Sequence, residues 1–100
     1  MIDWSRIEGF EWDAGNEDKS VQKHGVSKFE AEQVYFNRPL IVATDVRHSH
    51  AERRFHALSQ TDGGRLLQLT FTLRQGGTRL RVISARQMSR KERTIYEQSA

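Results

Sequence analysis

The stretch RLLQLTFTLRQGGTRLRVISAR (65–86) decides the fold of this chain, because it reads as two strands joined by a glycine turn. Apolar and polar residues alternate through 65–74, which is the period of a half-buried strand. The segment RQGGT (74–78) predicts a turn, after which TRLRVISAR (78–86) returns beside the first strand. Strand 65–74 therefore has two faces: Leu67, Leu69, Phe71 and Leu73 point one way, and Gln68, Thr70, Thr72 and Arg74 point the other.

Further strand and helix signals surround this hairpin. The runs LIVATDV (40–46) and RRFHALSQT (53–61) extend it to three or four consecutive antiparallel strands, and GFEWD (9–13) predicts a brief strand ending at a helix cap. Helices are predicted over 14–24, over 26–39, and from Ser89 to about Glu97. We therefore expect a single α+β domain over residues 1–100, with two N-terminal helices and one C-terminal helix packed on an antiparallel sheet.

Three local signals mark helix boundaries. Gly25 suits the left-handed position just after a helix, so it predicts the end of the first helix. Ser27 and Glu30 have the S-x-x-E spacing of a capping box, in which each residue satisfies the other's backbone N–H. Ser89 and Glu92 repeat the same spacing at the start of the last helix.

Composition excludes several classes of protein. The chain has no cysteine, which removes disulfides and thiolate metal sites. No apolar run approaches the roughly 20 residues that a membrane span needs. The N-terminus lacks the apolar core of a signal peptide. These features predict a cytoplasmic protein that does not contact a membrane.

The charge is concentrated in the second half of the chain. Residues 1–50 carry six Lys and Arg against nine Asp and Glu, whereas residues 51–100 carry ten against four. Arg outnumbers Lys by twelve to four, and the planar guanidinium suits bidentate contacts with phosphate. An anionic partner, with nucleic acid first, is one interpretation, and a merely basic small protein is the other.

Several arginines fall on the predicted strands. On strict alternation, Leu80 and Val82 share a face with Ser84 and Arg86, while Arg79 and Arg81 share the other with Ile83 and Ala85. Arg53 and Arg54 open one strand, and Arg65 and Arg74 open and close the next. Such guanidiniums either converge to hold nucleic-acid phosphates or pair with carboxylates such as those of Glu52 and Glu92.

The segment DVRHSHAER (45–53) is the densest group of titratable residues. Its two His, with the Asp and the Glu, have three interpretations: metal ligands, acid–base chemistry, or a polar loop in which His48 bonds its neighbours. The H-x-H spacing suits a strand, but the segment reads as a loop, so we predict no metal. RNA cleavage without metal needs only a base for the 2′-hydroxyl, an acid for the leaving 5′-oxygen, and cations beside the phosphate.

The chain resembles a known family in its motifs taken together. The segments FEWD, KHGVS, DVRHSHAERRFHALSQTDGGRLL and RVISARQMSRKERTIYE are similar to the BrnT family, from about Phe10 to Glu97. Its members are the toxin halves of bacterial BrnT–BrnA toxin–antitoxin pairs. The resemblance implies a RelE-like α+β fold and ribonuclease activity that inhibits translation. It also implies neutralisation by a small ribbon-helix-helix antitoxin, through which the complex binds operator DNA.

The resemblance also suggests site residues. The motif positions are Trp12, Asp13, Lys23, His24, Gly25, His48, Glu52, Arg54, Arg65, Arg81, Ser84, Arg86, Glu92, Arg93 and Tyr96. As catalytic residues we predict Arg65, Arg81 and Arg86 at the phosphate, with His48 and Glu52 for proton transfer. As RNA-binding residues we predict Lys23, His24, Arg54 and Arg74. No cofactor is expected, and the assembly would be a homodimer or a 2:2 heterotetramer with the antitoxin. The alternative is a non-catalytic basic module that holds an antitoxin or nucleic acid.

Overall fold

A computed structural model describes residues 2–48 and 51–99 of the chain. Five strands form one sheet in the order β1-β5-β4-β3-β2, and three helices accompany it. The elements are β1 (Gly9–Trp12), α1 (Ala14–His24), α2 (Lys28–Gln33), β2 (Ile41–Asp45), β3 (Arg54–Gln60), β4 (Leu66–Arg74), β5 (Arg79–Gln87) and α3 (Arg90–Gln98). Within the described residues, no helix is long and apolar enough to cross a membrane.

The α+β prediction is confirmed, with one addition to the sheet. Strands β2 to β5 follow one another in the chain and pair antiparallel, as the hairpin signals predicted. The short strand β1 pairs parallel to β5, with Phe10 opposite Leu80, so the sheet is mixed. Pairing between the two ends of the chain leaves no local signal in the sequence, because it has no connecting turn.

The helix boundaries follow their local chemistry. Gly25 has φ 63°, and its N–H donates to the Val21 carbonyl at 2.9 Å, which ends α1 as predicted. Both capping boxes are present, at Ser27–Glu30 and at Ser89–Glu92. The predicted helix over 26–39 is shorter than expected, because α2 tightens into a 3-10 turn at Val34–Phe36.

The core lies between one face of the sheet and the segment that carries α2 and the 3-10 turn. Phe71 is fully buried at its centre, edge-on to the Tyr35 ring at a centroid distance of 5.4 Å. The apolar face predicted for β4 is confirmed, since Leu67, Leu69 and Phe71 are all 0% exposed. The Tyr96 hydroxyl donates to the Pro39 carbonyl at 2.8 Å and ties α3 to the start of β2.

A β-bulge in β5 overturns the predicted alternation of that strand. Phe71 lies opposite Val82 and Thr70 lies opposite Ser84, so Ile83 is an extra residue without an opposite partner. Beyond it, Ala85 faces the core opposite Leu69, and Arg86 lies opposite Gln68 on the other face. The prediction that Arg86 shares a face with Leu80 and Val82 was therefore wrong. Arg79, Arg81, Ser84 and Arg86 all lie on the side away from the core.

Candidate functional site

The side of the sheet away from the core, which we call the polar face, carries most of the charged residues of the strands. The strand register defines it, because directly opposite residues point to the same side. One row across it runs from Asp45 through Arg54 and Thr72 to Arg81. The polar members of this face are Glu11, Asp45, Arg54, His56, Gln68, Thr70, Thr72, Arg74, Arg79, Arg81, Ser84 and Arg86.

A carboxylate between two histidines lies at the end of β2. Asp45 is only 8% exposed, and its Oδ2 lies 2.9 Å from His48 Nδ1 and 3.2 Å from His56 Nε2. Burial acts to raise the pKa of Asp45, but the hydrogen bond from His48 and the charges of the two imidazoles outweigh it and lower that pKa below its ordinary value. Asp45 therefore stays ionised and orients both rings.

The two histidines differ in which ring nitrogen remains available to a ligand. The other ring nitrogen of His56, Nδ1, lies 2.8 Å from Gln68 Nε2 and 3.1 Å from Thr70 Oγ1, so both of its nitrogens are engaged within the sheet. The side chain of His48 is 62% exposed and touches Asp45 through Nδ1 alone among its described contacts. His48 therefore presents Nε2 to solvent beside the polar face.

Arg81 and Arg79 lie with acidic residues near β1. The Arg81 guanidinium bonds the Asp13 carboxylate, so Asp13 begins α1 without using its side chain as a cap. The Nε of Arg81 is buried and has no hydrogen-bond partner among the described residues. Arg79 donates to the Phe10 carbonyl at 3.1 Å, and its guanidinium covers Gly9 so closely that an added Cβ would meet Nη1 at 2.5 Å.

The other predicted arginines of this face also have acidic partners or neighbours. Arg74 Nη2 donates to Glu52 Oε1 at 3.1 Å, and Arg74 Nε lies 3.0 Å from Oε2 without a hydrogen bond among the described residues. Arg54 lies directly opposite Asp45, on the row that leads to Arg81. Each guanidinium has five N–H donors, so one carboxylate does not saturate it. The polar face therefore holds several of its cations beside carboxylates.

Arg86 makes the best-defined ion pair of the described chain. Its Nη1 and Nη2 lie 2.8 Å and 2.9 Å from the two carboxylate oxygens of Glu92, which is a bidentate geometry. The hydrogen bond from Arg86 lowers the pKa of Glu92 from 4.5 to about 2, aided by the Ser89 N–H and opposed by burial. The same hydrogen bond raises the pKa of Arg86. This pair links the end of β5 to the first turn of α3.

Arg65 lies at the end of the sheet away from Arg54, Arg74 and Arg81, three positions before Gln68, the residue opposite Arg86. It precedes β4 and is seven positions before Thr72, the residue opposite Arg81. Seven residues of extended strand span roughly 23 Å. Its Nη1 donates to the Gly25 carbonyl at 2.8 Å and to the Glu30 carboxylate at 3.1 Å and 3.2 Å. Burial acts to raise the pKa of Glu30, but the Ser27 N–H and Arg65 lower it. Arg65 thereby clamps the end of α1 to the capping box of α2.

Lys23 and His24 lie at the same end as Arg65. They form the last turn of α1, and the His24 carbonyl is 3.5 Å from Arg65 Nη2. The structure thus divides the predicted site residues into two groups. The first group belongs to the polar face or its rim and consists of His48, Glu52, Arg54, Arg74, Arg81 and Arg86. The second group lies beyond the first residue of β4 and consists of Lys23, His24 and Arg65.

The remaining observations concern a metal site and two further histidines. Within residues 2–48 and 51–99, no group of three or more His, Asp or Glu has the arrangement of a metal site. The second histidine of the H-x-H spacing, at position 50, lies outside the described residues. Sequence reasoning missed His56, because a histidine inside a strand carries no motif and only the register brings it to Asp45.

Comparison with known proteins shows similarity to a protein family and to a solved structure. The model of the family described as "Ribonuclease toxin, BrnT, of type II toxin-antitoxin system" matches residues 12–92. The crystal structure of the Brucella abortus ribonuclease toxin BrnT is similar in fold, with a TM-score of 0.60 and 23% sequence identity, over 82% of this chain and 97% of that one. No curated protein sequence matches the chain. Since the family model covers most of the chain, from the end of β1 to the first turn of α3, this protein belongs to the BrnT family of type II toxins.

Proposed function

We propose that this protein is an endoribonuclease that cuts RNA without a metal ion at its polar face and thereby inhibits translation. The observation that carries the proposal is the arrangement of one exposed, carboxylate-oriented histidine and several fixed arginines on one side of one sheet. A group for proton transfer and the cations that such cleavage requires are both present there. Membership of a ribonuclease toxin family supports the same reaction.

The chemistry assigns a role to each group. His48 takes the proton of the 2′-hydroxyl through Nε2, and the 2′-oxygen attacks the adjacent phosphorus. The bond from phosphorus to the 5′-oxygen then breaks, and the leaving oxygen takes a proton from solvent while His48 returns its proton to solvent. The products are a 2′,3′-cyclic phosphate and a 5′-hydroxyl. Arg54 and Arg81 stabilise the negative charge that grows on the phosphate oxygens. Their Cα atoms are about 10 Å apart, since they lie two strand spacings from each other.

Other predicted residues take supporting roles in this proposal. Glu52 fixes Arg74 and Glu92 fixes Arg86. Arg74 and Arg86 lie on opposite sides of the row that carries Arg81, so that they contact phosphates of the same RNA strand before and after the cleavage site. Lys23 and His24 contact the RNA backbone at the far end. Arg65 acts through the scaffold, since its donors are directed to the Gly25 carbonyl and the Glu30 carboxylate.

The partner of a type II toxin is a cognate antitoxin, and the family of this chain implies one. We propose that the antitoxin is a ribbon-helix-helix protein, by resemblance to BrnA. The complex would be a 2:2 heterotetramer that binds operator DNA through the antitoxin, in the cytoplasm. Size-exclusion chromatography with light scattering of the co-expressed pair tests the stoichiometry, because a 1:1 mass excludes the heterotetramer.

One observation favours a second function. Four of the arginines on the polar face, Arg74, Arg79, Arg81 and Arg86, have a carboxylate within ion-pairing distance, as in a purely structural network. A non-catalytic module that holds the antitoxin or nucleic acid would have this arrangement too. It would show salt-sensitive binding without cleavage.

Cleavage of a defined RNA in the presence of a chelator separates the two functions. We expect fragments ending in a 2′,3′-cyclic phosphate from the wild type, and a loss of at least tenfold in rate for Arg81→Ala. Arg6→Ala is the matched control, because Arg6 is exposed and lies outside the polar face. Circular dichroism verifies that each variant folds. Intact RNA with the wild type at high concentration, together with normal growth of cells that express it, excludes the ribonuclease and leaves the binding module.

A further inference from the structure

The contacts around Asp45 extend past His48 into the sheet. Two histidines contact Asp45 Oδ2: His48, three residues later in the chain, and His56 on the neighbouring strand β3. An ionised carboxylate can only accept hydrogen bonds. His48 therefore donates to it through Nδ1–H, and Nε2 of His56 lies 3.2 Å from the same oxygen, at ion-pairing distance. This leaves Nε2 of His48 as the acceptor that a general base needs.

The position of His56 is itself fixed by β4. The Gln68 amide nitrogen donates to His56 Nδ1 at 2.8 Å, with the amide oriented as in the structure, and Gln68 is only 5% exposed. Because Nδ1 accepts that bond, the His56 tautomer with a single ring proton carries it on Nε2, the nitrogen 3.2 Å from Asp45 Oδ2. Thr70, 3.1 Å from the same Nδ1, holds the ring from the adjacent position of β4.

We propose that Asp45 and His56 are positioning residues that fix the ring orientation and tautomer of His48 for proton transfer. The inference rests on the proposed ribonuclease function and deepens it. The order of contacts, Gln68 to His56 to Asp45 to His48, runs from a buried amide on a central strand to an exposed imidazole at the sheet edge. His48 lies in a short 3-10 turn after β2, and these contacts hold its ring as firmly as that of a residue on a strand.

Single substitutions that keep or remove each contact test this role in the whole chain. Asp45→Asn should lower kcat by about 100-fold with KM little changed, since acid–base groups contribute about 10²- to 10⁴-fold when aligned. His56→Leu removes the imidazole beside Asp45 and should lower kcat by about tenfold. His56→Gln keeps an amide donor near the place of Nε2 and should stay within about threefold of the wild type. Val46→Ala is the matched control, because Val46 lies between Asp45 and His48 but is 83% exposed.

A double-mutant cycle distinguishes positioning from an independent structural effect. If Asp45 acts through His48, then adding Asp45→Asn to His48→Ala lowers kcat by less than threefold beyond His48→Ala alone. Independent effects multiply, and an extra loss of about 100-fold overturns the inference. Wild-type kcat in Asp45→Asn also overturns it while leaving the ribonuclease function intact. A wild type that leaves RNA uncut overturns the function and, with it, the positioning role.

A spectroscopic measurement reads the same geometry without activity. Nitrogen-15 spectra of the imidazoles at neutral pH should show His48 with its proton on Nδ1 and His56 with its proton on Nε2. Asp45→Asn should shift His48 toward the Nε2–H tautomer that free histidine favours, and Val46→Ala should not. A His48 ring that carries its proton on Nε2 in the folded wild type overturns the proposed orientation.

Discussion

Replacing Glu92 with Gln removes one negative charge from the link between β5 and α3 while keeping the side chain's size. Gln also serves at this position of a capping box, so the Ser89 contact survives and the change isolates the ion pair with Arg86. The pKa of Glu92 is lowered from 4.5 to about 2 in the folded protein. Taken in full, that shift corresponds to roughly 3 kcal/mol of stability at neutral pH.

The expected loss is smaller, because solvent screens the pair. The side chains of Arg86 and Glu92 are 38% and 23% exposed, so we expect Glu92→Gln to lower the free energy of unfolding by about 1–2 kcal/mol at pH 7. A folded pKa below the unfolded one means that the stabilisation is complete above about pH 5 and is lost as the pH falls toward 2. The difference between variant and wild type should therefore shrink steadily below pH 5.

Urea unfolding followed by circular dichroism at pH 7, 5, 4 and 3 measures this difference. Glu97→Gln is the matched control, because it makes the same change on an exposed part of α3, and its effect should stay within about 0.5 kcal/mol. A Glu92→Gln deficit that keeps its size from pH 7 to pH 3 would show that packing or capping, and not the charge, carries the contribution of this residue.

Three further substitutions test the scaffold by urea unfolding. Gly25→Ala should destabilise the protein by about 1–2 kcal/mol, because φ is 63° there, whereas Gly15→Ala within α1 should leave stability equal or higher. Arg65→Ala should cost about 1–3 kcal/mol by releasing the Gly25 carbonyl and Glu30, while kcat for RNA cleavage stays within about threefold of the wild type. A loss of cleavage in a fully folded Arg65→Ala would return this residue to the reaction. Phe71→Ala should cost about 3–5 kcal/mol at the fully buried centre of the core, and a loss under 1 kcal/mol would contradict that position.

Local chemistry made part of this fold predictable. The alternation in β4, the glycine after α1 and the two serine–glutamate boxes each depend on residues within a few positions of one another. The parallel partner of β1 depends on residues about seventy positions away, which no periodicity encodes. The bulge at Ile83 was also invisible, because both phases of β5 mix apolar residues with arginines.

The candidate site divides in the same way. His48 and Glu52 were predicted because titratable residues crowd one short segment. His56 was missed because the register of β2 against β3, and not sequence spacing, brings it to Asp45. Arg65 was predicted at the phosphate because a guanidinium suits anions, yet its partners belong to helix ends that pack beside it only in the folded chain.

The pairing of β1 with β5 determines when, during synthesis, the sheet can be completed. The first strand of the sheet cannot be paired until residues 79–82 have left the ribosome, and the residues that follow include Arg86. A nascent chain that has exposed only β1 to β4 therefore holds the His48 segment but lacks Arg81 and Arg86. The polar face is therefore complete only after β5 has paired with both β1 and β4.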